Sequence, residues 1–403
     1  MRIAQCLEAP LDDHGGVEVL ARALIQHLWE EGVETLLIVP QEPGSGILSS
    51  YPGIKGVFVW DHKRHHREEC RRLTNWLLSQ EADLAHFHLG GTYGWLARSW
   101  LGCPISKIDR AGIPCVTTNH GAFSIFDCVA SYRPNWFKLA TLPPFWLSKL
   151  KQLHHVRWEA TVSSHDLKAV QQWFFPARQK FFQLYHSKLH GDEFSSPTPI
   201  SNTQTPDNPF ILCLGTIGAR KGQQYLVEAF LKIAFDHPKW RLLLAGRQAH
   251  APTLQIINDQ IASSDAGNRV IMMPDVDNAA AKTLLQRAAI FAIPSTGEGL
   301  GLSLQEAMYA GCACIGSRVG GIPDLIENEI TGLLVPPARP SDLASGLSRL
   351  MTEELLRKRL SQAAKASMLQ RKMTALNMTQ TYLELYKKVL RSKSLHLKRG
   401  FLN

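Results

Sequence analysis

The chain has 403 residues, 45% apolar and 20% charged, which suits a globular protein of two ordinary domains and excludes a disordered one. No run approaches the roughly 20 apolar residues that span a bilayer. The net charge is +9, yet Lys387, Lys388, Arg391, Lys393, Lys398 and Arg399 sit in a terminal stretch without a single acid. The body is therefore nearly neutral, which argues against a nucleic-acid-binding face on the fold. The tail, with Leu395, Leu397, Phe401 and Leu402, fits an anionic membrane surface or a solvated end.

In chain order, Ile3–Leu7 reads as a first strand rather than a signal peptide, because Glu8 follows so early. Gly15 and Gly16 then open an amphipathic helix over 17–28. Glu34–Val39, Leu84–His88, Pro114–Thr118 and Ala160–Ser163 read as further strands. Residues 195–209 hold four prolines and few large apolar groups, the composition of a linker. After it, alternation resumes: strands over 210–215, 241–245, 269–273 and 290–294, helices over 222–235, 252–262 and 278–289. A last helix over 374–392 has Leu376, Tyr382, Leu383, Tyr386 and Leu390 as its stripe. Such alternation predicts α/β architecture with parallel, doubly wound sheets. Ligands of such sheets bind beyond the carboxyl ends of the strands. None of the eight cysteines forms a Cys-x-x-Cys pair, and Cys312 and Cys314 lie too close for zinc. Buried free thiols in a reducing, cytoplasmic setting are expected.

The chemistry concentrates in residues 294–311, Pro-Ser-Thr-Gly-Glu-Gly-Leu-Gly-Leu-Ser-Leu-Gln-Glu-Ala-Met-Tyr-Ala-Gly. A strand ends in Ile293, Gly297, Gly299 and Gly301 form a loop, and helical spacing begins at Leu302 and stops at Gly311. The first N–H groups of a helix lack internal partners and attract anions. Glu298 and Glu306 cannot bind phosphate but accept hydrogen bonds from hydroxyls, as on a sugar and a ribose. Phosphate donors beside hydroxyl acceptors describe a nucleotide-sugar pocket. Upstream, Gly218-Ala219-Arg220-Lys221-Gly222 places two adjacent cations just past a strand, suited to a diphosphate.

The two glutamates with seven residues between them, the following 320–326 and 331–337 segments, Leu214–Gly222 and Arg241–Gly246 together resemble the glycosyltransferase family 4 signature. The resemblance implies a GT-B fold: two Rossmann-like domains facing each other across a cleft, with the last helix crossing back to the first. The expected domains are 1–200, on the acceptor side, and 201–373, binding the nucleotide sugar, with 374–403 as helix and tail. It also implies a retaining, metal-independent enzyme needing no cofactor, in which Glu298 contacts the transferred sugar and Glu306 the ribose. Arg220 and Lys221 would hold the leaving diphosphate. Gly299, Leu300, Gly301 and Leu302 would offer backbone N–H groups, and Gly15 and Gly16 would face the diphosphate. His120, just past a strand end, corresponds to a histidine near the reacting carbon, but Gly121 stands where many members have aspartate. His86 and His88 also end a strand and are weaker site candidates.

The expected reaction moves sugar from a UDP- or GDP-sugar to a hydroxyl of a glycan or lipid-linked acceptor in cell-surface polysaccharide or glycolipid synthesis. The tail suggests a peripheral place at the inner membrane face. Rival readings are a silent sugar-nucleotide-binding partner protein and a nucleotide-sugar 2-epimerase. Two features stay open on sequence alone. The basic run His62–Arg72 is either a solvated helix face or a contact for an anionic acceptor. The aromatic stretch 132–185 is either core or a greasy platform.

Overall fold

A computed structural model describes residues 1–13, 15–61, 63–89, 104–121, 142–190, 194 and 208–400, with backbone only for 89, 142–145 and 393–400. Most of the linker stretch, His62, Gly90, Tyr132, Trp136, Phe137, Phe401 and Leu402 lie outside the described residues, and the side chains of Lys393, Leu395, Leu397, Lys398 and Arg399 are likewise not described. Two compact units emerge: 1–188 with 374–403, and 189–373.

The first unit holds seven strands: β1 Arg2–Cys6, β2 Glu34–Val39, β3 Ile54–Val59, β4 Leu84–Leu89, β5 Cys115–Asn119, β6 Val156–Thr161 and β7 Phe181–Gln183. Their order is β3-β2-β1-β4-β5-β6-β7, and every pairing is parallel. β1 and β2 are buried on both faces, as apolar runs between helical layers must be. Ala4, Cys6, Leu36, Ile38, Phe58, Leu73, Leu77 and Phe87 share one core cluster. The second unit repeats the plan with β8 Phe210–Leu214, β9 Arg241–Ala245, β10 Val270–Met273, β11 Ile290–Ile293, β12 Ala313–Ser317 and β13 Leu333–Val335. Its order is β10-β9-β8-β11-β12-β13, again parallel throughout. In each sheet the order reverses beside the first strand, at β1/β4 and at β8/β11. In open sheets of this kind, such a reversal point is where a crevice forms at the carboxyl edge.

Two expectations need correction. The strand expected at 160–163 runs from Val156 to Thr161. Arg157 and Glu159 hid it; Glu159 is fully buried, its charge paired with Lys149 (2.5 Å) and its Oε2 also accepting from the Thr117 hydroxyl (2.8 Å). The last helix runs over Ala375–Gly400, and Leu376 is exposed rather than part of its stripe. The inward face is Ala375, Met378, Thr379, Tyr382, Leu383, Tyr386 and Val389, with Leu390 half-buried. This helix packs on the helix Gly16–Glu30 of the first unit.

Of the described aromatic residues in the 132–185 stretch, Trp158, Phe174 and Phe181 are core, while Phe175 is 62% exposed. Much of the basic run is internally paired. Arg64 meets Asp61 and Glu68, and Arg72 meets Glu69 while stacking over Phe58. The described cysteines 6, 70, 115, 213, 312 and 314 are free and buried. Among the described residues no helix is long and apolar enough to cross a membrane, and no His, Cys, Asp or Glu group could hold a metal.

Candidate active site

The crevice of the second sheet collects the cations and one of the glutamates named above. Past β8 the chain turns through Gly218 into a single 3₁₀ turn, Ala219–Lys221, and then into the helix Gln223–Ile233. Past β11 it runs through 294–301 into the helix Leu302–Ala310. These two loops are joined backbone to backbone: the Thr296 N–H donates to the Arg220 carbonyl at 2.8 Å. Gly222 packs against the Pro294 carbonyl, where a Cβ would overlap it, and the Arg220 stem lies over Gly297.

Lys221 Nζ donates to Glu298 Oε2 at 2.7 Å, and Ser295 Oγ donates to the same oxygen at 3.1 Å. The Glu298 side chain is 10% exposed and that of Lys221 32%. Burial pushes the Glu298 carboxyl up. The charge and hydrogen bond of Lys221, the charge of Arg220 and the Ser295 hydroxyl together outweigh it, so the net shift is down. Glu298 is thus an ionised hydrogen-bond acceptor at neutral pH. Ser295, fully buried, is a site residue that sequence reasoning missed. Its one signal was its place directly after the strand-ending Pro294.

A third loop braces the arrangement. Past β12, the Gly321 N–H donates to the Gly299 carbonyl at 2.9 Å, and Gly320 sits against the Glu298 backbone. Gly299 is half-buried, Leu300 and Gly301 are buried, and Leu302 is the first residue of its helix. Glu306 lies one turn further on and is half-buried.

The other named residues lie in the first unit. Gly15 is the N-cap of the helix Gly16–Glu30, and the Glu18 carboxylate folds back over it. His120 follows β5 and is half-buried, its pKa pushed down to about 3 by burial. His86 and His88 on β4 and His186 after β7 are buried beside it. His86 bonds Tyr386 Oη (2.6 Å) and Thr118 Oγ1 (2.8 Å). The Tyr382 hydroxyl bonds Thr118 Oγ1 (2.7 Å) and His186 Nε2 (2.6 Å). The terminal helix is thereby tied to β4 and β5 through polar contacts.

This cluster sets an acid limit on stability. Burial first, and mutual repulsion second, hold His86, His88 and His186 well below 6.5. Unfolded histidines take up protons below about 6.5 while the folded ones do not, so stability is complete above that pH and falls beneath it. Each such histidine costs about 1.4 kcal/mol per pH unit in that range. Denaturant midpoints should drop steeply from pH 7 to 5.5. A flat profile would mean that the histidines titrate freely in the fold.

Comparison with known proteins agrees with this architecture. Residues 198–367 match the model described as glycosyl transferases group 1, and residues 14–181 match glycosyltransferase family 4. A D-inositol 3-phosphate glycosyltransferase of Xylanimonas cellulosilytica is 27% identical over 89% of this chain and 90% of its own length. An uncharacterized glycosyltransferase of Methanocaldococcus jannaschii is 31% identical over 36% of this chain. That match spans only 37% of the relative's length. An alpha-D-kanosaminyltransferase of Streptomyces kanamyceticus is likewise matched over 40% of its length, at 27% identity and 39% of this chain. Among solved structures, a glycosyltransferase of Rickettsia africae superposes with TM-score 0.77 at 18% identity, covering 96% of this chain and 98% of that one. An Anabaena protein in complex with UDP and glucose gives 0.74 at 16% identity, covering 96% and 100%. These likenesses show the GT-B fold.

Proposed function

The chain belongs to the group 1, family 4 glycosyltransferases, and from that premise we propose that it moves a sugar from a nucleoside-diphosphate sugar to an acceptor hydroxyl. The observation that carries this is the Lys221–Glu298–Ser295 cluster at the order-reversal point of the second sheet, beside Arg220 and a helix start. The complex of the Anabaena neighbour with UDP supports a uridine donor.

In this reading Arg220 and Lys221 meet the diphosphate, and the backbone N–H groups of 299–302 add positive potential. Lys221 has three N–H donors, so it can keep Glu298 while reaching a phosphate oxygen. Glu298 accepts from sugar hydroxyls and Glu306 from the ribose. His120 takes the substrate contact that the resemblance implies, and by the same resemblance Gly15 and Gly16 face the diphosphate once the Glu18 carboxylate that lies over Gly15 swings away. Two cations and a helix start supply the charge that a divalent ion would otherwise bring, so we read transfer as metal-independent. We read it as retaining by resemblance, with the leaving phosphate aiding deprotonation of the acceptor. A glycan or lipid-linked acceptor, at a membrane face engaged by the Lys387–Arg399 tail, completes the proposal.

A thermal-shift panel of UDP, GDP, ADP, CMP and their sugar conjugates tests it. UDP at a hundredfold excess over its dissociation constant should add about 2.7 kcal/mol of stability. No shift with any nucleotide would overturn the donor assignment.

A further inference from the structure

We infer that Gln5 and His88 are positioning residues that lock His120 in a single tautomer, leaving its Nδ1 as a hydrogen-bond acceptor aimed at a substrate hydroxyl. The inference rests on the substrate contact assigned to His120 above and adds which kind of group that contact can take.

Three elements supply the relay. Gln5 lies on β1, His88 on the neighbouring β4, and His120 directly after β5. Gln5 Oε1 stands 2.8 Å from His88 Nε2, and His88 Nδ1 stands 3.0 Å from His120 Nε2. Gln5 is fully buried and His88 nearly so, so neither can exchange these partners for bulk water.

The proton positions follow by elimination. An amide oxygen carries no hydrogen, so His88 Nε2 must donate to it. A neutral imidazole has one N–H, so His88 Nδ1 is bare and can only accept. His120 Nε2 must then carry the proton and donate to it. That leaves His120 Nδ1 with a lone pair and no partner among the described residues. With Oε1 on His88, the Gln5 Nε2 makes no hydrogen bond among the described residues. Turning the amide over would put its N–H on His88 and reverse every proton of the relay, so the Gln5 orientation and the His120 tautomer stand or fall together in one measurement.

The consequence is a rule for the ligand. A bare Nδ1 accepts from O–H or N–H and repels a carbonyl or phosphate oxygen. His120 therefore reads a hydroxyl as donor, and a substrate with a carbonyl at that point is disfavoured. A neutral Nδ1 also gives a contact whose strength does not change across neutral pH.

The test reads the proton directly. Imidazole ¹⁵N shifts of the histidine-labelled full chain at pH 7 should show His120 protonated at Nε2 and bare at Nδ1. A proton on Nδ1, or on both nitrogens, would overturn the inference. In Gln5→Met, which keeps the volume and loses the acceptor, His88 is released and the His120 signals should move toward the other tautomer. Unchanged signals would remove Gln5 from the relay. Gln5→Met should also lower kcat/KM for transfer roughly tenfold with UDP affinity unchanged, which a general loss of structure would not do, while full retention of kcat/KM would overturn the positioning role. If the wild type shows no transfer from any nucleotide sugar, the proposed function fails, whereas the tautomer result stands on its own.

Discussion

Gly320→Ala is expected to lower glycosyl transfer on the order of a hundredfold while the chain stays folded. Gly320 has φ of +51°, in the left-handed region that costs other residues roughly 1–2 kcal/mol. The greater effect is steric. A Cβ at this position would overlap the Glu298 carbonyl oxygen and crowd the Glu298 carbonyl carbon. The next residue is bonded to Gly299, so the loop after β12 cannot retreat without pulling on the loop it braces. Glu298 must therefore shift, and a displacement of about 1 Å in a positioning group costs on the order of 10²-fold in rate. Gly311→Ala is the matched control. Gly311 also has positive φ, +87°, but its nearest neighbour is the flexible Lys365 side chain at 4.0 Å. It should lose about 1 kcal/mol of stability and keep full transfer. Steady-state kinetics beside thermal melts of the two variants separate strain from displacement. Equal transfer by both would show that the clamp on Glu298 has no catalytic weight.

The parts that local chemistry writes into a sequence were legible, and those that depend on distant partners were not. The helix Leu302–Ala310 was readable because apolar spacing starts at Leu302 and Gly311 stops it. The strand Ile290–Ile293 was readable as a short apolar run. β3 was not, because Lys55 and Gly56 interrupt a strand on the edge of its sheet, where one face can stay exposed. β12, Ala-Cys-Ile-Gly-Ser, was hidden by small residues, one of which must be small: a Cβ on Gly316 would strike Ile322 and Ile293. In the site, Arg220, Lys221 and Glu298 could be placed near one loop edge. That Lys221 and Glu298, 77 residues apart, share a hydrogen bond could not be read from spacing. The histidines at strand ends were visible one by one. The His86 partner Tyr386 is 300 residues away, on the helix that returns to the first unit, and His186, bonded to Tyr382 of the same helix, was missed altogether.

Lys221→Ala and Glu298→Gln should each reduce kcat/KM by about 10²- to 10³-fold, the usual loss when a preorganised charge leaves a transition-state site. The pair acts as one device. Lys221 supplies the largest downward pull on the Glu298 carboxyl, and Glu298 holds the ammonium in place at 2.7 Å. Removing either one misplaces the other, so the double variant should lose little beyond the worse single variant. Simple multiplication of the two losses would show that the residues act independently. The pH profile carries the same information with a definite sign. In the native protein the Glu298 pKa is depressed, so its ionised form persists through neutral pH and is lost only as pH falls below the ordinary carboxylate range. In Lys221→Ala the upward push of burial meets only Arg220 and Ser295. The acid limb of the residual kcat should therefore move to higher pH. An acid limb that stays where it is in the native enzyme would mean that the group controlling transfer at low pH is some group other than Glu298.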